Sequence, residues 1–438
     1  MRHLINIELI DLLHITAHLG GGVGKVLSRL VAASKRRQDG VRHTVVCLEP
    51  PEKSQFADHI QANGGELRIC PSQHELQERI RQADIVQLEW WHHPIVAGWL
   101  CSGELPAMRL VIWSHVSGLH PPVIPPAFLK APHRFLFTSP CSWEHPDLAK
   151  LDRQSCQHVD VVFSSGGFDD LPPPPVRAHN RPLRPGYVGT LNYAKLHPGL
   201  LDFLSAVRLP DFKLALVGDP TTGESLLAEA CARGIAGRLE VRGYCQDVTS
   251  QLSSFDVLVY LLNPLHYGTT ENALLEAMAM GVVPVVLDNP AERVLIRHGE
   301  TGLIVHDPQS FAEAIDWLAC HPEEKKRLSG NAAREVRERF AIDRTADALM
   351  GHYRAVLAEA KRTFDFRPVF GDDPADWFKS CQGEEAWRFT DGQGIEAMPR
   401  GPHYLYEKTK SSVFHFRDCY PADARLARWA RQLEVKAC

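Results

Sequence analysis

HYGTTENALLEAMAMGVVPVVLDNP, residues 266–290, is the stretch that decides the fold class. Residues 271–280 are rich in helix formers and follow a Gly-Thr-Thr turn that can cap a helix, and Gly281 ends the helical pattern. Residues 282–287 form an apolar run rich in β-branched side chains, which is typical of a central parallel strand covered on both faces. The stretch therefore predicts a helix followed directly by a buried strand.

Short apolar runs alternate with helical segments along most of the chain. The pattern predicts strands at residues 11–17, 41–48, 67–70, 83–88, 110–113, 135–139 and 159–163, and again at 184–188, 212–217, 239–242, 255–262 and 282–287. This alternation implies parallel, doubly wound sheets and therefore an α/β fold. Four consecutive prolines at 172–175 favour extended geometry and mark the expected boundary between two such units.

Composition and charge narrow the class of protein. The chain has 438 residues with 44% hydrophobic content, enough for two to three domains with full cores. A net charge of -5 argues against nucleic acid as the main partner. The eleven cysteines include no C-x-x-C pair and the N-terminus lacks a signal-like pattern, so we expect a reduced, cytoplasmic protein. No apolar run approaches the ~20 residues of a spanning helix, so any membrane contact is expected to be peripheral.

One polar pair does not fit a plain core helix in the opening stretch. Glu276 lies one helical turn from Asn272, so both side chains can point the same way. A polar pair beneath a helix N-terminus with partial positive charge suits a nucleoside diphosphate and its ribose. The alternative is that Glu276 is a solvated carboxylate on a surface helix.

A triple glycine at 20–22 stands between the first predicted strand and the helical pattern of residues 23–33. Such a turn lets backbone N–H groups approach a phosphate closely at the start of a helix. It matches neither a Walker loop nor G-x-G-x-x-G, and a simple tight turn is the open alternative.

His115 comes at the C-terminal end of the predicted strand 110–113, where open α/β sheets carry their sites. The alternative is a core histidine that bonds a carbonyl. The 22 histidines include no H-E-x-x-H and no other compact ligand set, so no metal is expected.

The segment LLEAMAMGVVPVV resembles the signature helix and strand of retaining glycosyltransferases with the GT-B architecture, in family 4. The resemblance spans roughly residues 10–355 and is most specific around 266–306. It implies two facing Rossmann-like domains and a C-terminal extension. The implied limits are 1–171 for the acceptor-side domain, 172–182 for a proline-rich linker, 183–355 for the nucleotide-sugar donor domain and 356–438 for the extension.

The resemblance also implies roles for particular residues. Glu276 would hold the ribose, but Gly268 stands where the family has a second glutamate for the donor sugar, which leaves Glu271 or Asn272 as the replacement. Lys195 would grip the diphosphate, with Thr190 in place of the family's arginine. The implied catalytic residues are Lys195 and His115, the latter contacting the donor sugar. The other implied donor contacts are Gly21, Gly22, Gly189, Thr190, Tyr244, Thr269 and Thr270.

The implied activity is transfer of a hexose from a nucleoside diphosphate sugar to a hydroxyl acceptor, with retention and without a metal cofactor. The alternative is an inactive nucleotide-sugar-binding relative that serves as a partner or scaffold, because Gly268 and Thr190 replace charged residues of the family pattern. The extension contains no recognisable catalytic motif and is expected to cover the acceptor cleft or form an oligomer interface. Its last segment predicts an amphipathic helix with Leu426, Trp429, Ala430 and Leu433 on one face.

Overall fold

The computed structural model of the protein describes residues 9–51, 54–103, 105–150, 156–177, 182–219, 223–391, 395 and 403–437. The strands in these residues are β1 (Ile10–Thr16), β2 (Val41–Cys47), β3 (Glu66–Ile69), β4 (Ile85–Trp90), β5 (Leu110–Ser114), β6 (Arg134–Phe137), β7 (Val159–Val161), β8 (Pro185–Val188), β9 (Leu214–Val217), β10 (Leu239–Gly243), β11 (Val257–Tyr260), β12 (Val283–Leu287) and β13 (Leu303–Val305). Each predicted strand is therefore present, within a few residues of its expected bounds.

Helices connect and follow these strands. They are α1 (Gly21–Arg37), α2 (Gln55–Ala62), α3 (Gln73–Gln82), α4 (Pro94–Leu100), α5 (Pro126–Lys130), α6 (Pro146–Ala149), α7 (Leu200–Ala206), α8 (Gly223–Ala232), α9 (Val248–Ser254), α10 (Asn272–Ala279), α11 (Pro290–Leu295), α12 (Pro308–Cys320), α13 (Pro322–Arg339), α14 (Ile342–Leu357), α15 (Arg367–Phe370), α16 (Pro374–Lys379), α17 (Val413–Cys419) and α18 (Ala424–Ala437). None of the helices described here is both long and apolar enough to cross a bilayer.

The strands form two parallel sheets, one in each half of the chain. The first has seven strands in the order β3-β2-β1-β4-β5-β6-β7, and the second has six in the order β10-β9-β8-β11-β12-β13. In both sheets the strand order reverses beside the first strand of the half, which places a ligand crevice at the carboxyl ends of the central strands. The predicted α/β class with two Rossmann-like units is confirmed.

The stretch 266–290 supplies an interior strand of the second sheet, next to the edge strand β13. β12 pairs with β11 on one side and with β13 on the other, and every residue of β12 is buried. The buried side chains of α10 join the same core. An all-apolar strand is stable here because helices cover both faces of the sheet.

Helix α14 packs on the first half of the molecule. We expected residues 183–355 to form the second domain, yet the apolar residues Ile342, Leu349 and Tyr353 of α14 join the core of the first sheet beside α1. The amphipathic face of α14 is therefore buried against the first half, and the chain crosses back to reach it. The other domain limits stay predictions, and residues 178–181 of the expected linker lie outside the described residues.

The C-terminal extension packs on the first half as well. The predicted amphipathic face of α18 is buried in one core with β4, β5 and β6 of the first sheet. Its members Leu426, Trp429, Ala430 and Leu433 are all almost fully buried. The extension is thus a folded cover on the first half and also reaches the space between the halves.

Candidate functional site

A cavity of about 430 Å³ lies between the two halves and is lined by both sheets' loops and by the extension. Ten of the twelve predicted site residues line it: Gly21, Gly22, His115, Gly189, Thr190, Lys195, Thr269, Thr270, Glu271 and Asn272. These segments are far apart in the sequence. They meet because the two sheets fold with the carboxyl ends of their strands facing each other. The structure therefore brings together residues that the sequence separates by about 250 positions.

Two helix N-termini point into this cavity from opposite halves. Helix α1 begins at Gly21, whose φ of 52° lies in the left-handed region that glycine tolerates. Helix α10 begins at Asn272, and neither helix start has a side-chain cap among the described residues. A Cβ on Gly22 would lie 3.2 Å from Nδ2 of Asn272, so the two helix starts nearly touch. Uncapped N–H groups and two helix dipoles make this a place that favours an anion.

Lys195 and Glu271 form an ion pair inside the cavity. Nζ of Lys195 lies 2.6 Å from Oε2 of Glu271, and the hydroxyl of Tyr260 donates to the same oxygen at 2.7 Å. Burial alone would raise the pKa of the Glu271 carboxyl, but Lys195, His266 and Tyr260 outweigh it and the pKa is lowered. Burial likewise opposes the charge of Lys195, yet Glu271 raises the pKa of Lys195 above its usual value. Both groups are therefore charged at neutral pH.

The carboxylate of Glu271 occupies the space in which a side chain at position 268 would begin. A Cβ built on Gly268 would lie only 1.9 Å from Oε1 of Glu271. Asn272 points elsewhere, because its Nδ2 donates to the carbonyl of Ser164 at 3.4 Å. Of the two replacements considered from the sequence, Glu271 is the one that lies where the family's glutamate would start.

The loop that carries Lys195 is held from three sides. The Asn192 side chain accepts from the Lys195 backbone N–H at 3.1 Å, and the Lys195 carbonyl accepts from the Asn263 N–H at 2.7 Å. Glu407 of the extension accepts from the backbone N–H groups of Tyr193 and Ala194 at 2.6 and 2.8 Å. The extension thus reaches across the cavity and fixes the residues just before Lys195, a contact that the sequence did not reveal.

Two of the predicted residues do not line the cavity. Glu276 lies behind the start of α10 and forms an ion pair with Lys25 of α1, with Nζ 2.7 Å from Oε1. The Glu276 and Lys25 side chains are 19% and 16% exposed, so Glu276 is not the solvated carboxylate of the alternative reading. Tyr244 follows β10 and is 58% exposed, away from the cavity lining. Their roles as ribose and base contacts stay predictions.

His115 faces the cavity from the first half. Its Nε2 lies 2.7 Å from Oε2 of Glu89, a fully buried carboxylate in β4. Nε2 of His115 therefore bonds a carboxylate, and not the backbone carbonyl that the alternative interpretation expected. Burial would raise the pKa of the Glu89 carboxyl, but hydrogen bonds from His115 and His14 lower it overall.

Two groups of histidines and carboxylates are close enough to share a cation. They are His18, Glu49 and His93, and His266, Glu271 and Glu292. In each group a histidine Nδ1 accepts a backbone N–H: His93 from Ile95 at 3.2 Å, and His266 from Gly268 at 3.0 Å. The proton of each neutral ring is therefore on Nε2, the nitrogen that faces the carboxylate, where a metal would need a lone pair. The second group forms a hydrogen-bonded pair, because His266 Nε2 lies 3.2 Å from Oε2 of Glu292. In the first group His93 Nε2 is 3.2 Å from Oε1 of Glu49 but makes no hydrogen bond of good geometry. The absence of a metal cofactor stays a prediction.

Comparison with known proteins gives a family match over part of the chain. Residues 183–321 match the model of the family described as Glycosyl transferases group 1. The chain is 28% identical over 148 residues to the lipopolysaccharide core biosynthesis glycosyltransferase LpsE of Rhizobium meliloti, covering 33% of this chain and 43% of the relative. It is 32% identical to the GDP-mannose-dependent alpha-mannosyltransferase of Mycolicibacterium smegmatis, covering 39% of this chain and 43% of the relative. The matched region is less than half of either relative.

Solved structures extend the likeness in fold to about 80% of the chain. Anabaena Alr3699/HepE, crystallised with UDP and glucose, superposes with a TM-score of 0.61 at 14% identity over 79% of this chain and all of that chain. A glycosyltransferase from Rickettsia africae gives the same TM-score and identity over 80% of this chain and 99% of that chain. The resemblance to group 1 glycosyl transferases and the GT-B architecture are thereby confirmed.

Proposed function

We propose that this chain is a retaining hexosyltransferase of family 4 that moves a sugar from a nucleoside diphosphate donor to a hydroxyl acceptor. The observation that carries the proposal is the Lys195–Glu271 pair at the uncapped start of α10, which faces the uncapped start of α1 across the cavity. A cation and two helix N-termini form a receptor for a diphosphate. The neighbouring carboxylate is an acceptor for sugar hydroxyls.

The donor would lie along the cavity with its sugar near Glu271 and its diphosphate near Lys195. Because Thr190 cannot supply the charge of the family's arginine, the backbone N–H groups of the two helix starts carry more of the negative charge. Glu271 keeps its ion pair with Lys195 through Oε2 when a sugar binds. Its other oxygen, Oε1, is the one that points to the place where a side chain at Gly268 would begin. One carboxylate thus positions the cation with one oxygen and recognises the sugar with the other.

In the proposed reaction the bond between the anomeric carbon and the diphosphate oxygen breaks, and a bond from the same carbon to the acceptor oxygen forms on the same face. The acceptor proton passes to the departing phosphate, so no protein base is required. Negative charge develops on the diphosphate as the bond breaks, and Lys195 and the helix starts are already aimed at it. Such preorganised electrostatic stabilisation is a large part of catalysis in enzymes.

The extension would form part of the acceptor side. Tyr404, Leu405, Thr409 and Lys410 of the extension line the same cavity as His115 of the first half. An acceptor bound beside His115 would therefore also contact the extension. This placement supports the reading of the extension as a cover for the acceptor cleft.

The test is release of nucleoside diphosphate from UDP-, GDP- and ADP-hexoses, with and without a panel of sugar and lipid hydroxyl acceptors. UDP- and GDP-sugars enter first because relatives and neighbours are named with UDP and with GDP-mannose. Proton NMR of the product gives the anomeric configuration. Turnover with retention supports the proposal, inversion contradicts the retaining mechanism, and nucleotide binding without any turnover contradicts the transferase.

A further inference from the structure

Glu89 is a buried carboxylate that the family pattern does not name. It accepts from three N–H donors: His115 Nε2 at 2.7 Å, Gln87 Nε2 at 2.7 Å and His14 Nδ1 at 3.2 Å. Glu89, Gln87 and His14 are each completely buried. Three donors can hold a carboxylate ionised inside a protein without a paired cation. Glu89 is therefore an acceptor on both oxygens.

A chain of hydrogen bonds leads from Glu89 away from the cavity. His14 Nε2 lies 2.9 Å from Nδ1 of His43, and His43 Nε2 lies 2.8 Å from Oγ of Ser34. Ser34 Oγ also lies 3.2 Å from Oδ2 of Asp39, so its single hydroxyl proton can serve only one of the two neighbours. If Glu89 only accepts and both rings are neutral, His14 carries its proton on Nδ1, His43 donates from Nδ1, and Ser34 gives its proton to His43, the nearer partner. Burial, and then the neighbouring His14, place the pKa of His43 well below its usual value, in accord with a neutral ring. Every link then has one proton and no donor faces another donor.

Glu89 also determines which ring nitrogen carries the proton in His115, the histidine that faces the cavity. Since Glu89 accepts, Nε2 of His115 carries a proton, and in the neutral ring Nδ1 is left with a lone pair. We propose that Glu89 is a positioning residue that fixes this tautomer, so that Nδ1 of His115 accepts a hydrogen bond from a hydroxyl of the donor sugar. This inference rests on the proposed function, because it presumes a sugar in the cavity beside His115.

These hydrogen bonds explain why β4 contains a charged residue at a buried position. A glutamine at position 89 would have nearly the same shape, but it has one acceptor oxygen and one NH₂ group for two histidine partners. Turned towards His115, the NH₂ group would require a lone pair on Nε2 and would move the proton to Nδ1. The cavity would then present a donor where the sugar hydroxyl needs an acceptor. Loss of the correct histidine tautomer is costly in enzymes that depend on it.

The experiment compares Glu89→Gln with wild type and with Ser34→Ala as the matched control. For Glu89→Gln we expect kcat for the preferred donor to fall about 10-fold to 100-fold, as is usual when the partner that orients an active-site histidine is changed. Affinity for the nucleoside diphosphate that wild type binds best among UDP, GDP and ADP should stay within about threefold, because the proposed nucleotide contacts, Lys195, Glu276 and the starts of α1 and α10, include neither Glu89 nor His115. Ser34→Ala removes the far end of the chain, two imidazole rings away, and should leave kcat within about threefold.

Nitrogen-15 NMR of histidine-labelled wild-type protein tests the tautomer without any variant. We expect Nε2 of His115 to carry the proton and Nδ1 to be unprotonated. A proton on Nδ1 in wild type overturns the inference, and so does a Glu89→Gln enzyme with kcat within threefold of wild type or with nucleotide affinity lost as fully as kcat. No turnover by wild type would overturn the proposed function instead, while the NMR result would still decide the tautomer.

Discussion

Replacing Lys195 by methionine tests the site most sharply, because it removes one charge and keeps the length of the side chain. Lys195 is the side chain whose charge is aimed at the proposed leaving group, and removal of one such donor costs about 10²-fold to 10³-fold in kcat, or about 3 to 4 kcal/mol. The expected fall in the rate of nucleoside diphosphate release is therefore at least ~10²-fold.

The same substitution should also lower stability. It leaves the Glu271 carboxylate, 5% exposed, without its cation. We expect a loss of about 2 kcal/mol, less than the ~3 to 5 kcal/mol for breaking a fully buried pair, because the Tyr260 hydroxyl still donates to Glu271. The double variant Lys195→Met with Glu271→Gln should recover most of this stability, since no unpaired buried charge remains, but should not recover the rate.

The assay pairs donor turnover with thermal unfolding for the single variants, the double variant and Lys150→Met. Lys150 is a suitable control because its side chain is 74% exposed and pairs only with the neighbouring Asp147 among the described residues. Lys150→Met should match wild type in both measurements. If Lys195→Met keeps its rate within a factor of two of wild type, Lys195 does not stabilise a leaving group and the reasoning is refuted.

Three further results are expected. Glu276→Ala should weaken nucleoside diphosphate binding by about 30-fold to 1000-fold in calorimetric titration, whereas Lys25→Met, which removes the ion-pair partner alone, should stay within about fivefold. Glu407→Gln should raise the donor KM and lower kcat about fivefold or more in steady-state kinetics, because one amide NH₂ would face a backbone N–H of the Lys195 loop. Stability measured by denaturant titration should fall as pH drops below about 4, because Glu89 and Glu271 have folded pKa values below their unfolded ones.

Each of these has a contrary outcome. Equal affinities for Glu276→Ala and wild type would make Glu276 a structural partner of Lys25 only. Unchanged kinetics in Glu407→Gln would show that the extension does not position the Lys195 loop. The sign of the pH effect follows from the lowered pKa values: the stabilisation is present above the unfolded pKa and is lost as pH falls through the folded pKa. Stability that increases on acidification would contradict the ionised state of both carboxylates.

The local pattern of the chain was enough to predict the sheets. Apolar runs such as residues 282–287 can be stable only as covered strands, so their order along the chain already implied two parallel units. The pattern could not predict where α14 packs. An amphipathic pattern shows that one face of a helix is buried but not what buries it, and the structure buries this face against the first half.

The residues of the site also fall into those that the sequence signalled and those that it did not. His115, Lys195 and residues 269–272 follow strand ends or begin a helix, so their neighbourhood in the sequence signalled them. Glu89, Lys25 and Glu407 carry no such signal, because each acts through a partner at least 26 positions away. The buried position of Glu89 within the run IVQLEW was the one available hint, since a charged residue in a buried strand is costly unless it is hydrogen-bonded.

A crystal structure with the diphosphate of the preferred donor would show whether a nucleoside diphosphate binds between the two halves. The proposed site predicts phosphate oxygens within hydrogen-bond distance of Lys195 Nζ and of the backbone N–H groups at the starts of α1 and α10. It also predicts a ribose hydroxyl on the carboxylate of Glu276. A nucleotide bound elsewhere, or bound in this cavity with its phosphates away from Lys195 and both helix starts, would contradict it.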